Sequence, residues 1–393
     1  MTDNQVYIAS ACRTPIGSFC GVFSSLKASE LGTVVIKESL KRANVEPKEV
    51  SGVILGQTLT AGMGQNPARQ ASIKAGLPID VPAYLINMLC GSGLKAIMNA
   101  YMTIKCGEGD IVVAGGQENM SAAPHSTNIR LASKSGDSVM RDTMLFDGLT
   151  DAFCNIHMGI TAENIAEKYE ISRGDQDKYA VQSQQRTEMS MKNGHFDKEI
   201  VPTEVKIRRQ TVLVSKDEYP KSGVTFEDLS KARAVFKEGG TVTAGNASGI
   251  NDGAAAVVVM SGKVVKEKGI KPMARIVAIA EAGVLPEIMG EGPIPAVKLL
   301  LEKAGWHKDE VDLYELNEAF AAQAIRCVKG LNIDEAKVNV DGGAIALGHP
   351  IGASGARVVV TLLHSMERRN AKKGVAALCV GGGMGVAIAV ERD

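Results

Sequence analysis

Two stretches of the chain repeat one order of apolar and polar positions. Residues 40–50 (Leu-Lys-Arg-Ala-Asn-Val-Glu-Pro-Lys-Glu-Val) run into Ser51-Gly-Val-Ile-Leu-Gly56. Residues 301–311 (Leu-Glu-Lys-Ala-Gly-Trp-His-Lys-Asp-Glu-Val) run into Asp312-Leu-Tyr-Glu-Leu-Asn317. Each reads as the end of an amphipathic helix, a short charged turn and a buried strand. The two copies start at 40 and 301, an offset of 261 residues. The same offset carries Cys90 to position 351, beside Gly348-His349-Pro350. Runs of small residues begin at both points, Cys90-Gly-Ser-Gly-Leu-Lys-Ala96 and Gly352-Ala-Ser-Gly-Ala-Arg357. Further on, Ile111-Val-Val-Ala-Gly-Gly116 is echoed by Ala376-Ala-Leu-Cys-Val-Gly-Gly382. Each half thus predicts a strand, tight turn, buried helix, strand and glycine turn. Alternating strands and helices predict α/β layers. Two such halves facing each other would bring Cys90, His349 and Cys379 to one seam.

The stretch between the halves differs. Residues 119–249 contain basic clusters such as Lys206-Ile-Arg-Arg209, loop-like runs such as Lys134-Ser-Gly-Asp-Ser138, and one clear helix, Ile160 to Tyr169. This is read as an inserted loop domain over the seam, a usual place for binding residues. The expected division is an N-terminal α/β half at 1–118 completed by 250–270, a loop domain at 119–249, and a C-terminal α/β half at 271–393.

Composition narrows the class. With 393 residues, 45% of them hydrophobic and 22% charged, the chain has material for two or three globular domains. Its 44 basic and 44 acidic residues cancel, so neither a nucleic-acid nor an anionic-membrane binder is expected. No window has the apolar length that spans a bilayer. The start reads directly into a strand, Val6-Tyr7-Ile8-Ala9, not a secretion signal, and Glu391-Arg392-Asp393 is not a peroxisomal address. Seven cysteines without C-x-x-C spacing argue against a disulfide framework and a zinc site. A reducing compartment, the cytoplasm, is expected.

The candidate chemistry lies in a few segments, each with a plainer structural reading beside it. Cys90 precedes three small residues and a helical run from Leu94. A helix N-terminus there would favour thiolate, but a buried structural cysteine is the commoner meaning of such a position. His349 sits in a turn stiffened by Pro350, which could aim an imidazole or merely cap a helix. Cys379 ends a strand before three glycines whose N–H groups could hold an oxyanion; it could also be core. Asn317 could hold a water or cap the next helix. His157-Met158-Gly159 alone reads as packing. No P-loop, H-E-x-x-H or G-x-S-x-G is present. Gly381-Gly-Gly-Met-Gly385 is followed by the strand-like Val386-Ala-Ile-Ala-Val390, whereas a dinucleotide-binding turn must open a helix.

Taken together, Cys90-Gly-Ser-Gly93, Asn317-Glu-Ala-Phe320, Gly348-His-Pro350 and Cys379-Val-Gly-Gly-Gly383 resemble the four active-site motifs of thiolases, in family order. The likeness spans essentially the whole chain, including Arg13-Thr-Pro-Ile-Gly17, Gly64-Gln-Asn-Pro-Ala-Arg69 and Thr243-Ala-Gly-Asn-Ala-Ser-Gly249. It is closest to the biosynthetic, short-chain branch. The resemblance implies two βαβαβαββ halves in an αβαβα layering, with a loop domain and a homo-oligomer, expected as a tetramer. It implies reversible Claisen condensation of two acetyl-CoA to acetoacetyl-CoA and CoA through an acetyl-cysteine, without a metal or a separate cofactor. In those terms Cys90 carries the acyl group, His349 is its base, Cys379 moves the carbon proton, Asn317 holds a water, and Gly381 contributes an oxyanion N–H. Coenzyme A is expected along Leu149, His157, Ala244, Ser248, Ala319 and Phe320, with Met158 and Met289 narrowing the acyl end. Lys221 stands where many relatives have an arginine on the CoA phosphates; it keeps the charge without the planar fork. Competing readings are a 3-ketoacyl-CoA thiolase of β-oxidation, a non-catalytic acyl-binding relative, and an NAD-dependent oxidoreductase.

Overall fold

The computed structural model describes residues 5–130 and 134–393. The first four positions of the expected N-terminal half, and 131–133 of the expected loop domain, lie outside it. The N-terminal half contributes strands β1 (Val6–Arg13), β2 (Gly52–Gly56), β3 (Ala83–Ile86), β4 (Ile111–Asn119) and β5 (Asn251–Ser261), with helices α1 (Ala28–Ala43), α2 (Pro67–Lys74) and α3 (Ser92–Lys105). The middle stretch contributes α4 (Met158–Lys168) and α5 (Arg173–Lys192). The C-terminal half contributes β6 (Ala274–Gly283), β7 (Leu313–Leu316), β8 (Lys373–Val380) and β9 (Met384–Glu391), with α6 (Pro293–Ala304), α7 (Ala321–Leu331) and α8 (Ile351–Arg369).

The strand order is β7-β8-β9-β6-β1-β5-β4-β2-β3, with a short strand, Gly17–Ser18, added to β5. The halves meet in this order through only two residue pairs, Tyr7 with Arg275 and Ile8 with Ala274. β2 and β7 begin at Gly52 and Leu313, again 261 apart. The repeat is not perfect. Where the N-terminal half has β3, the C-terminal half has only an isolated bridge between Tyr314 and Val338.

Five layers follow from side-chain alternation. In β5, Ala255, Val257 and Val259 face a central cluster with α3 and α8, while Ala254, Ala256, Val258 and Met260 face α1 and α2. In β9, Val386, Ile388 and Val390 face the same central cluster, while Ala387 and Ala389 face α6 and α7. Strands buried on both faces lose the apolar–polar alternation of a half-exposed strand. Each fully buried Val or Ile contributes roughly 1.5–3 kcal/mol. The two central helices touch almost backbone to backbone. A Cβ at Gly93 would sit 2.7 Å from the Ala356 nitrogen, and one at Gly355 would sit 2.2 Å from the Leu94 nitrogen. The small-residue runs after Cys90 and His349 are what this contact requires.

The expected helix from Ile160 to Tyr169 is α4, beginning two residues earlier, with His157 as its N-cap. The twenty-residue α5 was not expected. Its buried face is largely polar, including Gln176, Ser183, Gln184, Thr187 and Ser190, so it shows no apolar stripe. Most of those groups are spent on tertiary bonds, such as Ser183 Oγ donating to Glu318 (2.7 Å) and Ser190 Oγ to Asp341 (2.9 Å). The middle stretch is anchored by Arg13, whose fully buried guanidinium pairs with Glu199 (2.5 Å) and Asp217 (2.6 Å). Removing either acid would leave a buried charge short of a partner. Among the described residues, no helix is long and apolar enough to cross a membrane.

Candidate functional site

Cys90 lies in a single helical turn, Leu89–Gly91, that leads into α3. Leu89 is held at φ 48°, a strained region for a branched side chain. The turn is tied by the Met88 N–H to Ser92 Oγ (2.8 Å) and by Ser92 Oγ–H to the Leu89 carbonyl (2.6 Å). The β8–β9 turn of one half packs on the nucleophile turn of the other: a Cβ on Gly381 would lie 2.8 Å from Leu89 Cδ1, and the Gly381 backbone N–H favours the Cys90 thiolate. The helix start does not make Cys90 a free thiolate. Burial outweighs the N–H donors and pushes the thiol up to about 11. Cys90 therefore needs a base to react near neutral pH.

His349 supplies one. Gly348 has φ 103°, and a Cβ there would lie 2.5 Å from the Asn251 side chain, whose oxygen accepts the His349 N–H at 2.9 Å. Ser354 Oγ donates to the Pro350 carbonyl (2.9 Å), so its lone pairs are free for the imidazole Nδ1 at 2.5 Å. This pattern assigns the ring proton to Nδ1 and leaves Nε2 bare. Burial, followed by the charge of Arg357, lowers the imidazole to about 3, so the resting ring is neutral. Ser354 was not singled out in the sequence, although it stands in the small-residue run at Gly352–Arg357.

Asn317 follows β7, its N–H bonded to the Ala377 carbonyl at 3.0 Å. Its Nδ2 lies 3.5 Å from His349 Nε2, and its buried Oδ1 has no partner among the described residues. That leaves an acceptor for a water or a ligand. The neighbouring Glu318 is tied by Tyr179, Ser183, Asn339 and the Ile345 N–H. Those bonds make it an anchor of the motif rather than a reacting group.

One cavity of about 680 Å³ opens over this centre, with Cys90 and His349 on its wall. Leu149, His157, Met158 and Lys221 line it from the middle stretch, as do Ala244 and Ser248; Met289, Ala319 and Phe320 line it from the C-terminal half. His157 stacks on Phe236 with ring centres 4.7 Å apart, and Phe236 meets Phe320 edge-on. The Ser248 N–H donates to the Ala319 carbonyl at 3.0 Å, joining the two walls. Lys221 is exposed. Three expected residues do not line this cavity. Gly381 lines an adjoining one, which shares Met158. Asn317 and Cys379 are fully buried. Cys379 packs with Met158, Met289, Ala319 and Phe320, and burial raises its thiol well above the usual range. Among the described residues, no cluster of His, Cys, Asp and Glu could hold a metal ion.

Comparison with known proteins places this site in a family. The model described as "Thiolase, N-terminal domain" matches residues 6–263, and "Thiolase, C-terminal domain" matches 270–392. The chain is 57% identical over 392 residues to an acetyl-CoA acetyltransferase of Allochromatium vinosum, covering 99% of this chain and 100% of that protein. It is 56% identical over 392 residues to the cytosolic acetyl-CoA acetyltransferase of Mus musculus, covering 99% of each. The crystal structure of the Bacillus anthracis acetyl-CoA acetyltransferase, 46% identical, superimposes with a TM-score of 0.97 over 98% of both chains. With both family models matched and its relatives covered end to end, the chain belongs to the thiolase family.

Proposed function

We infer that the chain transfers acetyl groups between coenzyme A thioesters, condensing two acetyl-CoA to acetoacetyl-CoA and CoA and running the reverse thiolysis. The observation that carries this is Cys90 and His349 on the wall of one cavity, with the Gly381 turn packed against the Cys90 turn. In the first step His349 Nε2 takes the thiol proton as Cys90 attacks the thioester carbonyl. The Cys90 and Gly381 N–H groups hold the oxyanion. The departing CoA sulfur takes its proton from Cys379, which leaves acetyl-Cys90, protonated His349 and a Cys379 thiolate. That thiolate removes a methyl proton from the second acetyl-CoA. The enolate oxygen is met by protonated His349 and by a water on Asn317. The carbanion attacks acetyl-Cys90, and the expelled sulfur recovers its proton from His349. All three groups return to their starting state.

Lys221 at the cavity mouth is the proposed CoA-phosphate contact. Met158 and Met289, buried beside Cys379, are proposed to close the acyl end. A tail that fits gains roughly 0.8 kcal/mol per buried CH₂, while overpacking costs about 1–3 kcal/mol. Specificity should therefore fall steeply with chain length. Measured kcat/KM is expected to be high for acetoacetyl-CoA and small for six-carbon and longer 3-ketoacyl-CoAs, with Met158→Ala partly restoring the latter. A wild type that cleaves long chains as well as acetoacetyl-CoA would favour the β-oxidation reading.

The domain division proposed is 1–118 with 250–270, 119–249 and 271–393. A homotetramer is proposed, because an enolate and a thioester need cover from water and the middle stretch is its source. Light scattering should give a multiple of 41.4 kDa; a fully active monomer would refute it. A cytoplasmic location is proposed from the cytosolic name of the mouse relative, and cell fractionation checks it.

A further inference from the structure

Glu118 lines neither cavity described above and has no part in the proton transfers. Its side chain is fully buried near the end of β4. Oε2 accepts the Thr58 N–H at 2.9 Å and the Gly352 N–H at 2.8 Å, and Oε1 accepts the Leu59 N–H at 3.2 Å. No ion pair among the described residues includes it. Burying a carboxylate without a cation is costly, and here burial outweighs three N–H donors and raises its pKa to about 7. Three converging N–H donors call for an acceptor there, and an amide would set an NH₂ against one of them.

The donors explain the choice. Leu59 belongs to the N-terminal half and packs with Ile351 in the apolar cluster against Cys90. Gly352 lies in the first turn of α8, three residues after His349. The approach is tight. A Cβ on Gly352 would lie 2.6 Å from Gln57 Cα and 2.7 Å from the Glu118 carboxylate. One carboxylate therefore joins the wall beside Cys90 to the helix start that carries His349, across the seam between the halves. Its negative charge also adds to burial in holding the Cys90 thiol up.

We infer that Glu118 is a positioning residue for acyl transfer, fixing the Leu59 backbone and the first turn of α8 in one frame so that Cys90 and His349 keep their mutual geometry. This rests on the reading of Cys90 and His349 as acyl carrier and base.

Two variants of the full chain test it. Glu118→Gln keeps the shape and the bonds from Thr58 and Gly352, but sets an NH₂ against the Leu59 N–H and removes the charge. Glu118→Asp keeps the charge and loses the reach. Small displacements of reacting groups cost rate steeply, so kcat for acetoacetyl-CoA thiolysis is expected to fall about 10–100-fold in both, with KM within about twofold of wild type. Cys90 alkylation by iodoacetamide, followed across pH by peptide mass, should shift its midpoint to lower pH in Glu118→Gln and stay near wild type in Glu118→Asp. Unfolding would also expose the thiol and lower its midpoint, so a circular-dichroism spectrum and thermal midpoint near wild type must accompany the shift. The inference is overturned by wild-type kcat in either variant, or by a loss of kcat in Glu118→Gln with an unmoved midpoint. If Glu118→Gln does not fold, Glu118→Asp decides through its kcat. Acetyl trapped in the wild type on a residue other than Cys90 would refute the underlying reading instead.

Discussion

Cys90→Ala is expected to lower both condensation and thiolysis by about 10⁴–10⁶-fold, equivalent to about 5–8 kcal/mol of barrier. The size follows from the resting state of the site. Cys90 is held as a thiol at about 11 and His349 as a neutral ring at about 3, so no preformed thiolate–imidazolium pair exists to be replaced. The proton moves only as sulfur attacks carbon, and alanine offers neither the sulfur nor the proton. Water could in principle enter, but the cavity wall around this point is Met120, Leu149 and Ile351. Binding should survive, because the substitution removes none of the residues proposed to hold CoA, and apart from Leu149 they lie outside this cluster. Steady-state thiolysis of acetoacetyl-CoA, with CoA binding by calorimetry, checks both halves of the claim. A variant retaining a tenth of wild-type turnover would remove Cys90 as nucleophile.

Cys379→Ala should separate the two half-reactions. The variant is expected still to accept acetyl on Cys90, because His349 can return the thiol proton to the departing CoA sulfur, yet to lose condensation by about 10²–10⁴-fold, the usual range for a positioned base. It should also lose exchange of acetyl-CoA methyl protons with deuterated water. Cys379 is completely buried against Met158, Met289, Ala319 and Phe320, and that surrounding raises its thiol well above the ordinary range. A thiolate formed there has no water to stabilise it, so it is a stronger base than in solution. It forms only when the departing CoA sulfur takes the proton, which times the base to the moment an acyl group is in place. Proton exchange followed by NMR reads this directly. Exchange at the wild-type rate in the variant would assign the carbon proton to another group.

Much of this architecture is legible in the chain because it is written twice. The 261-residue offset between the two helix–turn–strand segments reappears in the starts of β2 and β7. The small residues after Cys90 and His349 mark the contact of α3 with α8. Other features leave no local trace. The missing third strand of the C-terminal half reduces to Val338, where too few residues pair to leave a pattern. The long α5 has no apolar stripe because its inner face is spent on hydrogen bonds to Glu318, Asp341 and Thr241. Cys90 reads as a thiolate from its helix-start position alone, since the desolvation that reverses this comes from residues far away in sequence. Ser354 and Glu118 are equally quiet. One is a serine in a small-residue run and the other an acid at the end of an apolar strand, and only the fold shows what each one touches.

The central claim is an acetyl group carried on Cys90. Incubation with acetyl-CoA, an acid quench, digestion and mass mapping of the peptides test it most directly. The account predicts about one acetyl per chain, on Cys90, present in Cys379→Ala and absent in Cys90→Ala. Acetyl found instead on Cys379 or the exposed Cys154, or no covalent acetyl in an active enzyme, would contradict it.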